Sequence, residues 1–321
     1  MTVLNYDPKS DATALERQIE TWVTSEPIVQ LVSTFGGAGI EPSDSLIVTL
    51  EKLVTFTERW DFRKGTERNL AETRNFADDQ AELILGCADA LGFVVSPAPR
   101  FNSYDHVIVL GGLVRACLQR PLLVAQLVAN GMTTRSVTGI GAFRPLGGNE
   151  PDLARSAGLD HLENEFDAMD AGMRDAFRLT EPQHERGQEN PDNPNLSWHV
   201  REYLADSGSK ISVTAAPSTD PKRRANTPDS YKYWAEELAE VTPGQRVLLA
   251  TTAIYIPFQH ADAIRMLGIP YGLIVDTVGV DASTVSIAGL SQSFTPSAYL
   301  QEVRSTIMSY RNLLLALENP R

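Results

Sequence analysis

HVIVLGG, residues 106–112, is a short, continuously apolar, β-branched run that closes on two glycines. Such a run suits a strand buried on both faces of a parallel sheet, with the glycines turning the chain at its carboxyl end. The next stretch, LVRACLQRPLLVAQLVANG at 113–131, has helical spacing through Leu118, Leu122, Ala125, Leu127 and Val128 and stops at Asn130-Gly131. RSVTGIG at 135–141 then runs a second strand into a glycine turn. Two such steps in succession predict an α/β fold with an open, mostly parallel sheet flanked by helices, whose ligand site lies at the carboxyl ends of the strands.

Toward the carboxyl terminus, KISVTAAPS (210–218), RVLLATTAIYIP (246–257) and YGLIVDTVGV (271–280) supply further strands. Thr227-Pro228 reads as an N-cap with proline at the first helical position, followed by a stripe of Tyr231, Trp234, Ala235 and Leu238. A helix with Ala261, Ile264 and Leu267 ends at Gly268, and Thr295-Pro296 opens a last helix with Leu300, Val303, Ile307, Tyr310 and Leu314 inward. Residues 145–209 form a polar insertion with one amphipathic helix through Leu162, Phe166, Met169 and Met173. EPQHERGQENPDNPNLS, 181–197, carries almost no hydrocarbon and is expected to be an exposed loop or lid without strand or helix, followed by a short helix at Trp198–Leu204. Before residue 98 the chain reads as helices. Leu15, Ile19, Trp22 and Val23 share one face, Leu46, Leu50, Leu53 and Val54 another after a cap at Ser43 or Asp44, and a third helix is expected over about 67–91, from Leu70 to Leu91. The expected organisation is a helical extension at 1–98, packed on one α/β domain at 99–321.

The 321 residues carry 28 Lys and Arg against 41 Asp and Glu, a net charge of −13 that disfavours nucleic acid and anionic membrane as partners. Cys87 and Cys117 lie in apolar helical surroundings and read as buried free thiols. The start MTVLNYDPKSD lacks the pattern of a signal peptide, and no apolar run reaches ~18 residues, so the cytoplasm is the expected location. The five histidines show no zinc-ligand spacing, and no Gly-x-Ser-x-Gly elbow is present. Acidic residues dominate the helical start and the polar insertion, whereas Arg115, Arg144 and Lys222–Arg224 fall at strand ends. The negative total thus reads as a solvated shell around a small basic crevice.

Four segments could carry chemistry. Gly111 and Gly112 let backbone approach an anion at a helix N-terminus, with Arg115 in reach. Thr138, Gly139, Gly141 and Arg144 follow the second strand. Arg223, Arg224, Asn226 and Thr227 join a basic run to a helix start. Thr251, Thr252, Tyr255 and His260 follow the strongest strand and could face the same crevice. Each also has a purely structural reading, as tight turns, solvated charges or a satisfied histidine.

In this order, His106–Gly112, Arg115 to Gly131, Ser136–Gly141, Glu163–Met169, Arg224–Thr227 and Val247–His260 make residues 104–280 resemble the domain family of unknown function that includes the SanA, ElyC and YdcF proteins. The resemblance implies a Rossmann-like sheet with a polar crevice and an acidic helix position, for which Glu163 and Glu165 compete. It supplies no reaction. The chain departs from the family at Tyr255 and Gln259, where a histidine and an arginine are usual, and its first hundred residues replace a membrane anchor. The leading expectation is a soluble protein that binds an anionic or nucleotide-like small molecule, S-adenosylmethionine among the candidates, as an enzyme. Arg115, Arg144 and Arg224 would clamp charge, Gly111 and Gly112 donate backbone N–H groups, and Glu163, Glu165 or His260 move a proton. The alternative is a non-catalytic binding or sensor module whose helical part mediates association, and a homo-oligomer fits either reading. No cofactor is identified.

Overall fold

The computed structural model describes residues 3–9, 12–38, 44–65, 71–205, 208–283, 290 and 292–318. In chain order, helices α1 (Ala12–Val23), α2 (Glu26–Thr34), α3 (Leu46–Phe56) and α4 (Asp78–Ala90) precede β1 (Ser103–Val109), α5 (Val114–Ala129) and β2 (Thr133–Gly141). Then come α6 (Glu150–Ser156), α7 (Glu165–Phe177), β3 (His184–Gln188), β4 (Trp198–Leu204) and β5 (Lys210–Ala215). The chain continues through α8 (Thr227–Tyr233), β6 (Arg246–Thr252), α9 (Ile256–Ala263), the single turn α10 (Ile269–Tyr271), β7 (Ile274–Val280) and α11 (Pro296–Glu318).

These elements gather into two compact units that interleave along the chain instead of meeting at one break near residue 98. One joins residues 1–97, 253–270 and 292–321, and the other joins 98–252 and 271–291. In the helical unit, Leu15, Ile19, Trp22 and Val23 are buried along α1, and Trp22 meets Tyr310 of α11 edge-on at 5.1 Å. The side-chain oxygen of Gln301 accepts from the backbone N–H groups of Phe62 and Arg63 at 2.8 and 3.2 Å. Thr295 caps α11 by accepting the Ala298 N–H at 3.3 Å.

The other unit is a seven-stranded sheet in the order β3-β4-β5-β2-β1-β6-β7, flanked by helices. Strands β5, β2, β1, β6 and β7 are parallel, and β4 and β3 add an antiparallel hairpin at one edge. Among the parallel strands the order is third, second, first, fourth, fifth, so the direction of winding reverses between β1 and β6. Val107, Ile108, Val109, Val137, Ile211, Val213, Leu248 and Leu249 are fully buried, which is why these strands read as unbroken apolar runs instead of alternating ones. Pro121 inside α5 cannot donate to the Cys117 carbonyl, and Gly172 of α7 packs on that carbonyl so closely that a Cβ would come within 2.0 Å of it.

Several expectations are corrected. Residues 181–197 are exposed but not structureless, because β3 forms there by pairing its backbone with β4, without hydrocarbon of its own. Trp198–Leu204 is strand β4, not a helix, since pairing with β5 on one side and β3 on the other uses its backbone groups. The strand beginning at Arg246 stops at Thr252, and a helical turn at Ala253–Tyr255 leads into α9. Asn226, not Thr227, caps α8, through a reciprocal capping box with Asp229. Residues 71–77 are not helical and α4 begins at Asp78, while Leu70 and Ser43 lie outside the described residues.

Candidate functional site

β1 runs out at Leu110-Gly111-Gly112 and α5 starts at Val114, so the unpaired N–H groups of the first helical turn point at the carboxyl rim of the sheet. One of the chain's own carboxylates meets them. Glu150 Oε1 accepts the Val114 N–H at 2.9 Å, and its Oε2 accepts the Gly147 N–H at 3.0 Å. Arg144 grips the same group, with Nη1 2.7 Å from Oε2 and Nη2 2.9 Å from Oε1. Burial alone would raise the Glu150 pKa, but Arg144 and the two backbone N–H groups hold it below the usual carboxylate range.

Arg144 also donates through Nε to Glu165 Oε2 at 3.1 Å and through Nη2 to the Gly112 carbonyl at 2.9 Å. Burial pushes the Glu165 carboxyl up to about 7, with Arg144 and Arg120 pulling the other way. Its Oε1 fills the space beside Gly111, where a Cβ would come within 2.1 Å of it. Arg120, 2% exposed, spans the point where the winding reverses. Its Nη1 donates to the Leu110 carbonyl at 2.7 Å, and Nε and Nη2 reach Thr252 Oγ1 at 3.2 and 3.0 Å. Arg115 stands half-buried one residue into α5, and its Nε is buried without a hydrogen-bond partner among the described residues.

With this geometry in view, the comparisons with known proteins place the chain. Residues 6–92 match the Rv3785 N-terminal domain. Over 329 aligned residues the chain is 30% identical to the uncharacterized protein Rv3785 of Mycobacterium tuberculosis, covering 94% of this chain and 89% of that protein. The chain belongs to the Rv3785 family. The uncharacterized protein Mb3814 of Mycobacterium bovis matches to the same extent, and no solved structure matches. Membership in the Rv3785 family overturns the resemblance to the SanA, ElyC and YdcF proteins, which neither the family match nor these relatives supports. Two of the motifs that suggested it, His106–Gly112 and Ser136–Gly141, are short strand-to-glycine turns, a device that open parallel sheets share across families.

The structure brings Gly111, Gly112, Arg144, Glu165 and Thr252 to one stretch of the rim, and Arg115 lies in the first turn of α5 that follows it. Glu163 is exposed and outside it. Thr138 lies within the sheet, its hydroxyl 2.9 Å from that of Ser212, and Thr251 is fully buried in β6. Gly139 and Gly141 make room for α7, since a Cβ would meet Met169 at 2.8 Å and the Phe166 backbone at 2.7 Å. Arg223 is paired with Asp229 at the start of α8, where Asn226 is the cap and Arg224 and Thr227 are exposed. Tyr255 and His260 belong to the helical unit. There the His260 Nε2 donates to the Leu4 carbonyl at 2.7 Å, and Tyr255 meets Phe258 and Phe294 edge-on.

Sequence reasoning missed Glu150 and Arg120. The only signal for Glu150 was its place in GGNEP, just after a glycine turn and beside a proline at a helix start. Arg120 looked like one more helix-surface charge. Among the described residues, no helix is long and apolar enough to cross a membrane, and no group of three His, Cys, Asp or Glu side chains could hold a metal ion.

Proposed function

We propose that this protein binds a small anionic or nucleotide-like molecule at the carboxyl ends of β1, β2 and β6, and that Glu165 is the group that exchanges a proton there. The observation that carries this reading is the charge of the rim. Two guanidinium groups, of Arg120 and Arg144, stand against two carboxyls, and one of those, Glu165, has its pKa pushed up to about 7 and so carries only part of a charge near neutral pH. The surplus is positive inside a chain whose total is −13. A buried carboxyl with a pKa near the working pH beside a fixed arginine suits general acid–base chemistry. Both cysteines are buried free thiols, which supports a reducing compartment such as the cytoplasm.

Calorimetric titration with nucleotides, sugar phosphates and S-adenosylmethionine tests the reading. An anionic ligand should release heat, and Arg115→Ala should weaken its binding by about tenfold or more, the worth of one charge-assisted contact. Repeating the titration in two buffers of different ionisation enthalpy should show net proton uptake, because a bound anion raises the Glu165 pKa further. No heat with any anionic ligand well above millimolar concentration would sink the proposal.

A further inference from the structure

The carboxyl rim has a second feature at its other end. Because β4 is antiparallel, its first residues, Trp198 and His199, stand at the rim beside the end of β5, with His199 opposite Ala215. There the hairpin borders an open cavity of about 560 Å³ whose lining includes Phe143, Gly187, Glu189, Asn190, Trp198 and His199. That volume lies in the ordinary range for small-molecule sites, ~300–1,000 Å³.

The wall is aromatic and its orientation is fixed. The rings of His199 and Phe143 lie 5.1 and 5.9 Å from that of Phe166, His199 at a shallow 33° to it. His199 Nε2 is 2.8 Å from Glu185 Oε1, which also accepts from Arg201 Nε at 2.8 Å. Arg201 in turn reaches the buried Asp170 at 3.0 Å, and Tyr203 donates to the same carboxylate at 2.7 Å. A half-buried edge histidine is thus tied through three residues to the interior. Opposite it in the β3–β4 ladder stands Gly187, where a Cβ would come within 3.2 Å of the His199 ring.

The polar lining sets two carboxylates beside the donors of Arg186, Gln188 and Asn190. Glu189 has no hydrogen-bond or ion-pair partner among the described residues, and Glu185 is a second carboxylate. The one guanidinium of the lining, Arg186, lies over the Trp198 ring at 5.9 Å. An aromatic face favours a flat ring, which stacks on it whatever its edge carries. An unpaired carboxylate beside an aromatic face calls for a flat ring that carries a donor.

We infer that this cavity is a binding site for a planar, amino-bearing heteroaromatic ring of the adenine type, stacked on the Phe143–His199 side of the cavity with its amino group donating to Glu189. Such a ring is uncharged, so its binding draws nothing from the positive rim at β1, and the two proposals fail separately.

Saturation-transfer NMR and equilibrium titration of the full chain with adenosine and inosine, which differ by an amino group against a carbonyl, test it. Adenosine should show transfer and bind about tenfold or more tightly than inosine, as expected for one hydrogen bond to a charged acceptor. Glu189→Gln, at an exposed position that leaves the fold alone, should abolish that preference, and Phe143→Ala should weaken both ligands. No transfer to adenosine at millimolar concentration overturns the site. Equal affinity for the two nucleosides overturns the amino-group recognition, and adenosine binding unchanged in both variants overturns the placement.

Discussion

The two ends of the carboxyl rim use charge in opposite ways. At β1 and β2, Glu150 is fully buried and accepts from Arg144 and from the backbone N–H groups of Val114 and Gly147, so an internal carboxylate helps hold the rim together. At the β3–β4 hairpin, His199 and Trp198 are half-buried, Glu189 is exposed, and a cavity stands open beside them. A carboxylate that meets several donors in the interior builds the frame, and its removal leaves an arginine without a counter-charge. Side chains at a paired but open edge cost the fold little and remain available to a ligand.

The largest expected effect breaks the comparison at its dry end. Glu150→Ala should cost about 3–5 kcal/mol, the usual penalty for removing one partner of a buried pair, measured by urea denaturation. Formate, entering the vacated position at the start of α5, should restore part of the lost stability. A loss under ~1 kcal/mol would show that the rim does not depend on its internal anion.

A smaller effect comes from Glu165, whose folded pKa of about 7 lies above its ordinary value of 4.5. The folded state therefore holds its proton more tightly than the unfolded chain. The stabilisation is complete below the unfolded value and is lost as pH rises through about 7, a change on the order of 3 kcal/mol. Glu165→Gln should flatten the dependence of stability on pH between about 5 and 7, and an unchanged slope would mean that another group causes it.

The smallest effect sharpens the comparison from the open end. His199→Ala removes a hydrogen-bond partner of Glu185 on an edge strand and should cost under about 1 kcal/mol in the same denaturation experiment. A loss as large as that of Glu150→Ala would erase the distinction between frame and site.

The parallel strands were legible because burial on both faces leaves them continuously apolar, as at Val107–Val109 and Val247–Ala250. The helical faces of α1 and α7 were legible because Leu15, Ile19 and Trp22, and Phe166, Met169 and Met173, repeat with the helical period. β3 was not legible, because every one of its residues is exposed and only the β4 backbone makes it a strand. In the candidate site, Arg144 and Gly111 could be singled out by their place after strands. Glu150, 38 residues beyond Gly112 in the sequence, could not be joined to α5 without the fold.

The sequence by itself determined that strands alternate with helices, that two strands end in glycine turns, and that basic residues fall at strand ends in an otherwise acidic chain. These are local matters of hydrocarbon, periodicity and turn chemistry. Only the tertiary structure decided which carboxylate meets which arginine, that the glycines at 139 and 141 make room for α7, and that the polar stretch after residue 181 becomes an edge hairpin with a cavity at its end. The reason is distance along the chain. Hydrogen bonds such as those of Glu150 to Val114 and of Arg120 to Thr252 join residues 36 and 132 positions apart, and nothing in the local pattern of either partner names the other.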